Sequence, residues 1–142
     1  MELRRVQNQI EFVTLKEKLI PLFEIYKKRI PEHQIEVDTM YNSYLVHLIF
    51  ADCYFFTISN GDEIVGFIGG HLLRGPSYNI LYIIDEYCPH GAKDLLVMYK
   101  NIQNIVGAQE MWGQADEKIY RLYRLYLKNK GINKATFVRV KL

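Results

Sequence analysis

The chain has 142 residues, 49% of them hydrophobic, and a formal net charge of +2 from 18 lysines and arginines against 16 acids. That is enough apolar material for one compact domain with a real core, and too little net charge to argue for bulk attraction to nucleic acid or to an anionic membrane. The cysteines, Cys53 and Cys88, form no paired metal or redox motif, the N-terminus Met1-Glu2-Leu3-Arg4-Arg5-Val6 lacks an apolar signal core, and no apolar run reaches the ~20 residues that span a bilayer. The expectation is a single domain over residues 1–142, cytoplasmic, with neither nucleic acid nor membrane among its partners.

Leu3 to Val6 reads as a short first strand. From about Glu11, Phe12, Leu15, Leu19, Leu22, Phe23 and Tyr26 recur at helical spacing, and Pro31 ends that helix. Asp38 is placed to cap a second helix whose buried stripe is Met40, Tyr41, Tyr44, Leu45, Leu48 and Ile49. Cys53 to Ile58 is aromatic and β-branched, Ser59-Asn60-Gly61-Asp62 suits a tight turn, and Glu63 to Leu73 resumes as a strand, the clearest hairpin in the chain.

Arg74-Gly75-Pro76-Ser77 is turn material, and Ile80 to Ile84 follows as a continuously apolar strand, the pattern of one buried on both faces and therefore central. A helix runs from about Ala92 to Val106 with Leu95, Met98 or Tyr99, Ile102 and Val106 inward. Gln109 to Trp112 is a strand. Glu117 to Lys130 is a helix with Ile119, Leu122, Tyr123 and Tyr126 inward, closed by Gly131, and Ala135 to Leu142 alternates as a half-buried terminal strand.

The order strand, helix, helix, three strands, helix, strand, helix, strand resembles that of the GNAT family of acetyl-coenzyme A-dependent N-acetyltransferases. Locally, Glu63-Ile64-Val65-Gly66-Phe67-Ile68-Gly69-Gly70 is similar to the family's third strand, and Tyr126-Leu127-Lys128-Asn129-Lys130-Gly131-Ile132 to its terminal "Tyr-x-x-x-Gly-Phe". The resemblance implies an α/β (α+β) fold: a central mixed, mostly antiparallel sheet flanked by helices on both faces. It also implies acetyl-coenzyme A as cofactor. The acetyl-pantetheine arm would lie where the strand containing Ile83 and Ile84 splays from Gln109 to Trp112. The pyrophosphate would lie on the turn Cys88-Pro89-His90-Gly91-Ala92-Lys93-Asp94, against backbone N–H groups at a helix start. This turn departs from the family text Q/R-x-x-G-x-G/A: it has one glycine, and Lys93 stands where a second Gly or Ala belongs. His90 and Lys93 are candidate phosphate contacts, and equally the surface of a solvated helix start.

The family's tyrosine acid falls four residues before the closing glycine, which here is Leu127. Tyr126, one residue away and about 100° around a helix, and Tyr123 on the same face are the candidates left to protonate the departing thiolate. Independently of the resemblance, Asp85 and Glu86 stand at the carboxyl end of the central strand, where open α/β sheets place ligands and where a carboxylate takes an amine's proton. Adjacent residues on a strand face opposite ways, so at most one points to a ligand; the sequence does not say which. Two readings follow. One is an N-acetyltransferase acting on a primary amine of a small molecule or protein. The other is a non-catalytic interaction or assembly module, a homo-oligomer or bound to a partner protein, similar to small phage-encoded GNAT-like proteins linked to head morphogenesis and located in the host cytoplasm. That second reading expects Tyr87, Met111 or Trp112 to plug the cleft.

Overall fold

A computed structural model describes residues 1–30, 35–89, 92–114 and 135–138. The elements, in chain order, are β1 (Glu2–Arg5), α1 (Gln9–Thr14), α2 (Lys16–Arg29), α3 (Val37–His47), β2 (Cys53–Asn60), β3 (Glu63–Arg74), β4 (Asn79–Tyr87), α4 (Ala92–Val106), β5 (Glu110–Gln114) and β6 (Ala135–Val138). The strands form one six-stranded sheet in the order β1-β2-β3-β4-β5-β6. β1 pairs antiparallel with β2, and the short connections from β2 to β3 and from β3 to β4 leave room only for antiparallel neighbours. β4–β5 and β5–β6 are parallel. The sheet is therefore mixed and mostly antiparallel, as the sequence implied, with β4 internal and parallel to β5. The helix expected over Glu117 to Lys130 lies outside the described residues.

The contacts divide the chain into two compact units, Met1–Gly69 with Asp85–Tyr87, and Gly70–Ile84 with Cys88–Leu142. In the first, an aromatic core fills the space beneath α1, α2 and α3. Phe12 meets Phe55 edge-on at 5.0 Å and stacks on Tyr41 at 4.9 Å, while Phe23 and Tyr26 meet Phe67 edge-on at 4.8 and 5.5 Å. These are the arrangements the ring quadrupole prefers. In the second, α4 buries Met98, Tyr99, Ile102 and Val106. It ends on Gly107, whose φ of 70° lets the Ala108 N–H reach back to the Gln103 carbonyl at 3.1 Å.

Local chemistry corrects several boundaries. The single helix expected from Glu11 is two. Asn8 caps α1 through the Glu11 N–H, and Glu11 in turn accepts from the Gln7 N–H. The chain then breaks at Leu15, whose carbonyl serves the N–H groups of Lys18 and Leu19. α2 ends at Arg29 because the next residue, Ile30, precedes a proline and is pushed to φ −125°, ψ 75°. Asp38 does not cap α3: Glu36 holds that position, and Asp38 sits in the first turn, where it complements the helix dipole. Ile49, assigned to the buried stripe, lies beyond the helix end and is exposed. Ile84 is 48% exposed, because β4 alternates rather than burying both faces.

Candidate active site

β4 presents Leu81, Ile83, Asp85 and Tyr87 to one side, all buried, and Tyr82, Ile84 and Glu86 to the other. The two neighbouring acids thus point opposite ways, as their spacing requires. Asp85 turns into the helix layer and is only 8% exposed. Each of its oxygens accepts a hydroxyl from a different helix: Tyr26 of α2 donates to Oδ1 at 2.8 Å and Tyr44 of α3 to Oδ2 at 2.5 Å. Glu86 is half-buried.

The sequence places the tyrosines there by helical periodicity. Tyr26 follows Leu19, Leu22 and Phe23 on the buried stripe of α2, and Tyr44 follows Tyr41 on that of α3. Tyr44 also needs space that only glycine leaves. A Cβ on Gly69 would lie 2.1 Å from the Tyr44 hydroxyl oxygen. Electrostatics follow from this packing. Burial, then the charge of Asp85 and the hydrogen bond to it, push both tyrosine hydroxyls well above their ordinary range, and Glu86 adds to the effect on Tyr26. Both tyrosines therefore remain neutral donors, and two donors suit an ionised carboxylate. Burial also pushes the Cys53 thiol up.

The other candidates are distributed as follows. Ile83 is buried and Ile84 exposed on the opposite side of β4. The described β4–β5 ladder runs from Ile80↔Glu110 to Ile83↔Gly113, and β4 continues to Tyr87. Ala92 and Lys93 are the first two residues of α4, a 15-residue helix with Asp94 in its first turn. His90, Gly91, Tyr123 and Tyr126 lie outside the described residues. Met111 and Tyr87 are buried, the Tyr87 ring within the aromatic core against Phe67, and Trp112 is half-buried with its indole N–H on Glu110. No cluster of three or more metal-ligating side chains occurs among the described residues, and no helix among them is long and apolar enough to cross a membrane. An open groove of about 560 Å³ between the outer side of α2 and the β2–β3 turn holds none of the candidate residues.

Sequence reasoning missed Tyr26 and Tyr44 because their spacing assigns them to the core, which is where they are; nothing in periodicity distinguishes a packing tyrosine from one donating to a buried acid. The paired glycines Gly69 and Gly70 inside a strand were the available signal, since such glycines mark close approach by another group.

No family model and no curated relative matches the sequence. Solved structures do match. An aminoglycoside acetyltransferase from an uncultured soil metagenomic sample, solved with trehalose, superposes with a TM-score of 0.67 at 16% identity over 99% of this chain and 94% of its own. Ribosomal-protein-alanine N-acetyltransferase from Brucella melitensis biovar Abortus 2308 gives 0.61 at 12% identity over 89% and 91%. A predicted acetyltransferase from Clostridium acetobutylicum, solved with acetyl-CoA, gives 0.58 at 14% over 88% and 87%. The mixed sheet and flanking helices of this chain are the GNAT-like fold that these acetyltransferases share.

Proposed function

We propose that the protein is a GNAT-like N-acetyltransferase that moves an acetyl group from acetyl-CoA to a primary amine of a small molecule or protein, with Glu86 as the general base. The observation that carries this reading is the division of labour at the end of β4. Asp85 has both oxygens committed to tyrosine hydroxyls inside the core, whereas Glu86 faces the other way and is partly accessible. A base must reach the proton it removes, and of the two acids only Glu86 combines access with the right end of the strand. The fold shared with acetyltransferases supports the reaction class.

For acetyl-CoA, the chain offers the N-terminus of α4 at Ala92. The first-turn N–H groups have no partner within the helix there, and the preceding sequence contains Gly91, a residue that lets phosphates approach the main chain. Lys93 adds a positive charge near that end in the sequence and Asp94 opposes it. When bound, the coenzyme supplies an activated acetyl thioester. The chain's own residues do the rest: Glu86 takes the proton of the attacking amine, main-chain groups around Ile83 and Ile84 orient the pantetheine arm, and Tyr126 or Tyr123 returns a proton to the leaving sulfur.

Calorimetry with acetyl-CoA, together with thiol release in the presence of primary amines, tests this. Binding is expected, and Glu86→Gln is expected to lower turnover roughly 10²–10⁴-fold, the span of general-base catalysis, with coenzyme affinity nearly unchanged. No binding at millimolar coenzyme by well-folded protein overturns the proposal.

A non-catalytic interaction protein on the same fold is the second reading. It is favoured by apolar side chains left exposed where Gln9 of α1 bonds the Leu45 carbonyl of α3: Ile10, Val13, Val46, Ile49 and Phe50. Self-association in analytical ultracentrifugation, unaffected by coenzyme A, would support it; a monomer that binds the coenzyme would exclude it.

A further inference from the structure

We propose that the protein self-associates through the free edge of β1, where the same strand of a second copy pairs with it antiparallel about a two-fold axis at Leu3. The inference goes beyond the proposed acetyl transfer and does not depend on it.

β1 stands at the end of the sheet order, beside β2. The Val6 N–H reaches the Phe55 carbonyl at 2.8 Å, and the β1–β2 register, continued by one residue, sets these two opposite each other. Backbone groups alternate sides along an antiparallel strand, so Glu2 and Arg4 turn theirs to β2, while Leu3 and Arg5 turn theirs outward. Among the described residues no hydrogen bond reaches those outward groups. An unpaired row of this kind is a template for another strand. Charged side chains commonly guard such an edge, but here both arginines lean back on their own chain. Arg5 lies over the Tyr54 ring of β2 at 4.3 Å, and Arg4 pairs with Glu11 of α1 at 2.6 Å.

Charge complementarity selects a second copy as the occupant and fixes its register. A two-fold axis at Glu2 sets Glu2 against Glu2 of the partner subunit, and an axis at Arg4 or Arg5 sets arginine against arginine. Like charges directly opposite destabilise a strand pair. An axis at Leu3 instead sets Leu3 against Leu3 of the partner subunit and, on either side of it, each Glu2 against an Arg4. Glu2 and Arg4 share one face of β1. Glu2 is exposed, and the Arg4 side chain is 70% exposed despite its bond to Glu11, so its guanidinium has donors left for a second carboxylate. The run Glu2-Leu3-Arg4-Arg5 thus complements itself when the axis falls on Leu3. The same register joins the outward N–H and carbonyl of Leu3 to the matching groups across the axis. A four-residue edge makes a small interface, so the dimer forms in a concentration-dependent way.

The test is analytical ultracentrifugation of the full chain from roughly 10 μM to 1 mM, paired with amide hydrogen exchange. A monomer–dimer equilibrium is expected, with the Leu3 amide gaining protection as concentration rises. Glu2→Arg and Arg4→Glu each set like charges across the axis and are expected to weaken dimerisation roughly tenfold. Mixing the two variants restores opposite charges at positions 2 and 4 of both chains, so a heterodimer as tight as the parent is expected. Should Arg4→Glu disturb the fold by losing Glu11, Leu3→Pro serves instead: it removes an N–H that the β1–β2 ladder does not use and is expected to abolish the dimer while the monomer stays folded. A monomer throughout the concentration range overturns the inference. So does a dimer that is indifferent to Glu2→Arg and Leu3→Pro but lost on Phe50→Ser, which would place the contact on the apolar side chains of α1 and α3. Failure to bind acetyl-CoA overturns the proposed function and leaves this result as it stands.

Discussion

At the scale of single residues, Gly69 shows how a side chain is specified by what it must not have. A methyl group there would sit 2.1 Å from the Tyr44 oxygen and 2.5 and 2.6 Å from its Cζ and Cε1. Gly69→Ala therefore has to displace the ring and strip one hydroxyl from Asp85. Urea unfolding is expected to show a loss of roughly 3 kcal/mol, the upper end for overpacking. Adding Tyr44→Phe is expected not to restore stability, because the ring carbons clash as well as the oxygen. Recovery in the double variant would show that the hydroxyl alone sets the limit. The same residue was legible in the sequence only as one glycine of a pair in a strand; its partner Tyr44, 25 positions away in a helix, was not.

At the scale of elements, local chemistry decided where the chain turns, and most of that was readable. The β2–β3 turn is the clearest instance. Gly61 has φ 61° and nothing within 4 Å of where a Cβ would stand, so its role is conformational alone. Gly61→Ala is expected to cost about 1–2 kcal/mol in denaturant unfolding, the penalty of a left-handed L-residue; Gly61→Asn, which tolerates that region better, should cost less. Equal stability of the alanine variant and the parent would show that the turn adopts another geometry. Element ends were less legible. The Asn8 cap and the break at Leu15 turned one expected helix into α1 and α2, since the apolar stripe continues across the break and periodicity does not register a cap. Likewise Ile80 to Ile84 reads as uniformly apolar, yet only a structure shows that Ile84 faces outward.

At the scale of the whole molecule, the buried tyrosines couple the site to global stability. Tyr26 and Tyr44 hold their protons in the folded protein far above 10.0, their ordinary value, because burial and Asp85 both oppose the phenolate. In the unfolded chain they ionise near that ordinary value. Below it both states carry the same tyrosine protons and these groups leave stability unchanged. Above it the unfolded state binds fewer protons than the folded one, so stability falls as pH rises, by up to about 1.4 kcal/mol per pH unit for each group. Thermal unfolding from pH 8 to 11 is expected to show a flat region followed by a steep decline, and Tyr44→Phe is expected to make the decline shallower. An identical slope in that variant would mean that Tyr44 ionises alike in both states.

The sequence by itself determined the succession of the strands, the hairpin, the internal position of β4 and most of the buried stripes of α2 and α3. Each of these is written in local signals: a period of 3.6 or 2, a glycine where φ is positive, a proline that ends a helix. It also placed Asp85 and Glu86 near the end of β4, but left them equivalent, because alternation says that two neighbours differ and not which faces inward. Only the tertiary structure decided that. Residues 26, 44, 69 and 85 meet because two helices and two strands pack together, and the burial that makes the Asp85 carboxylate costly and the tyrosine hydroxyls reluctant to ionise exists only once they have done so.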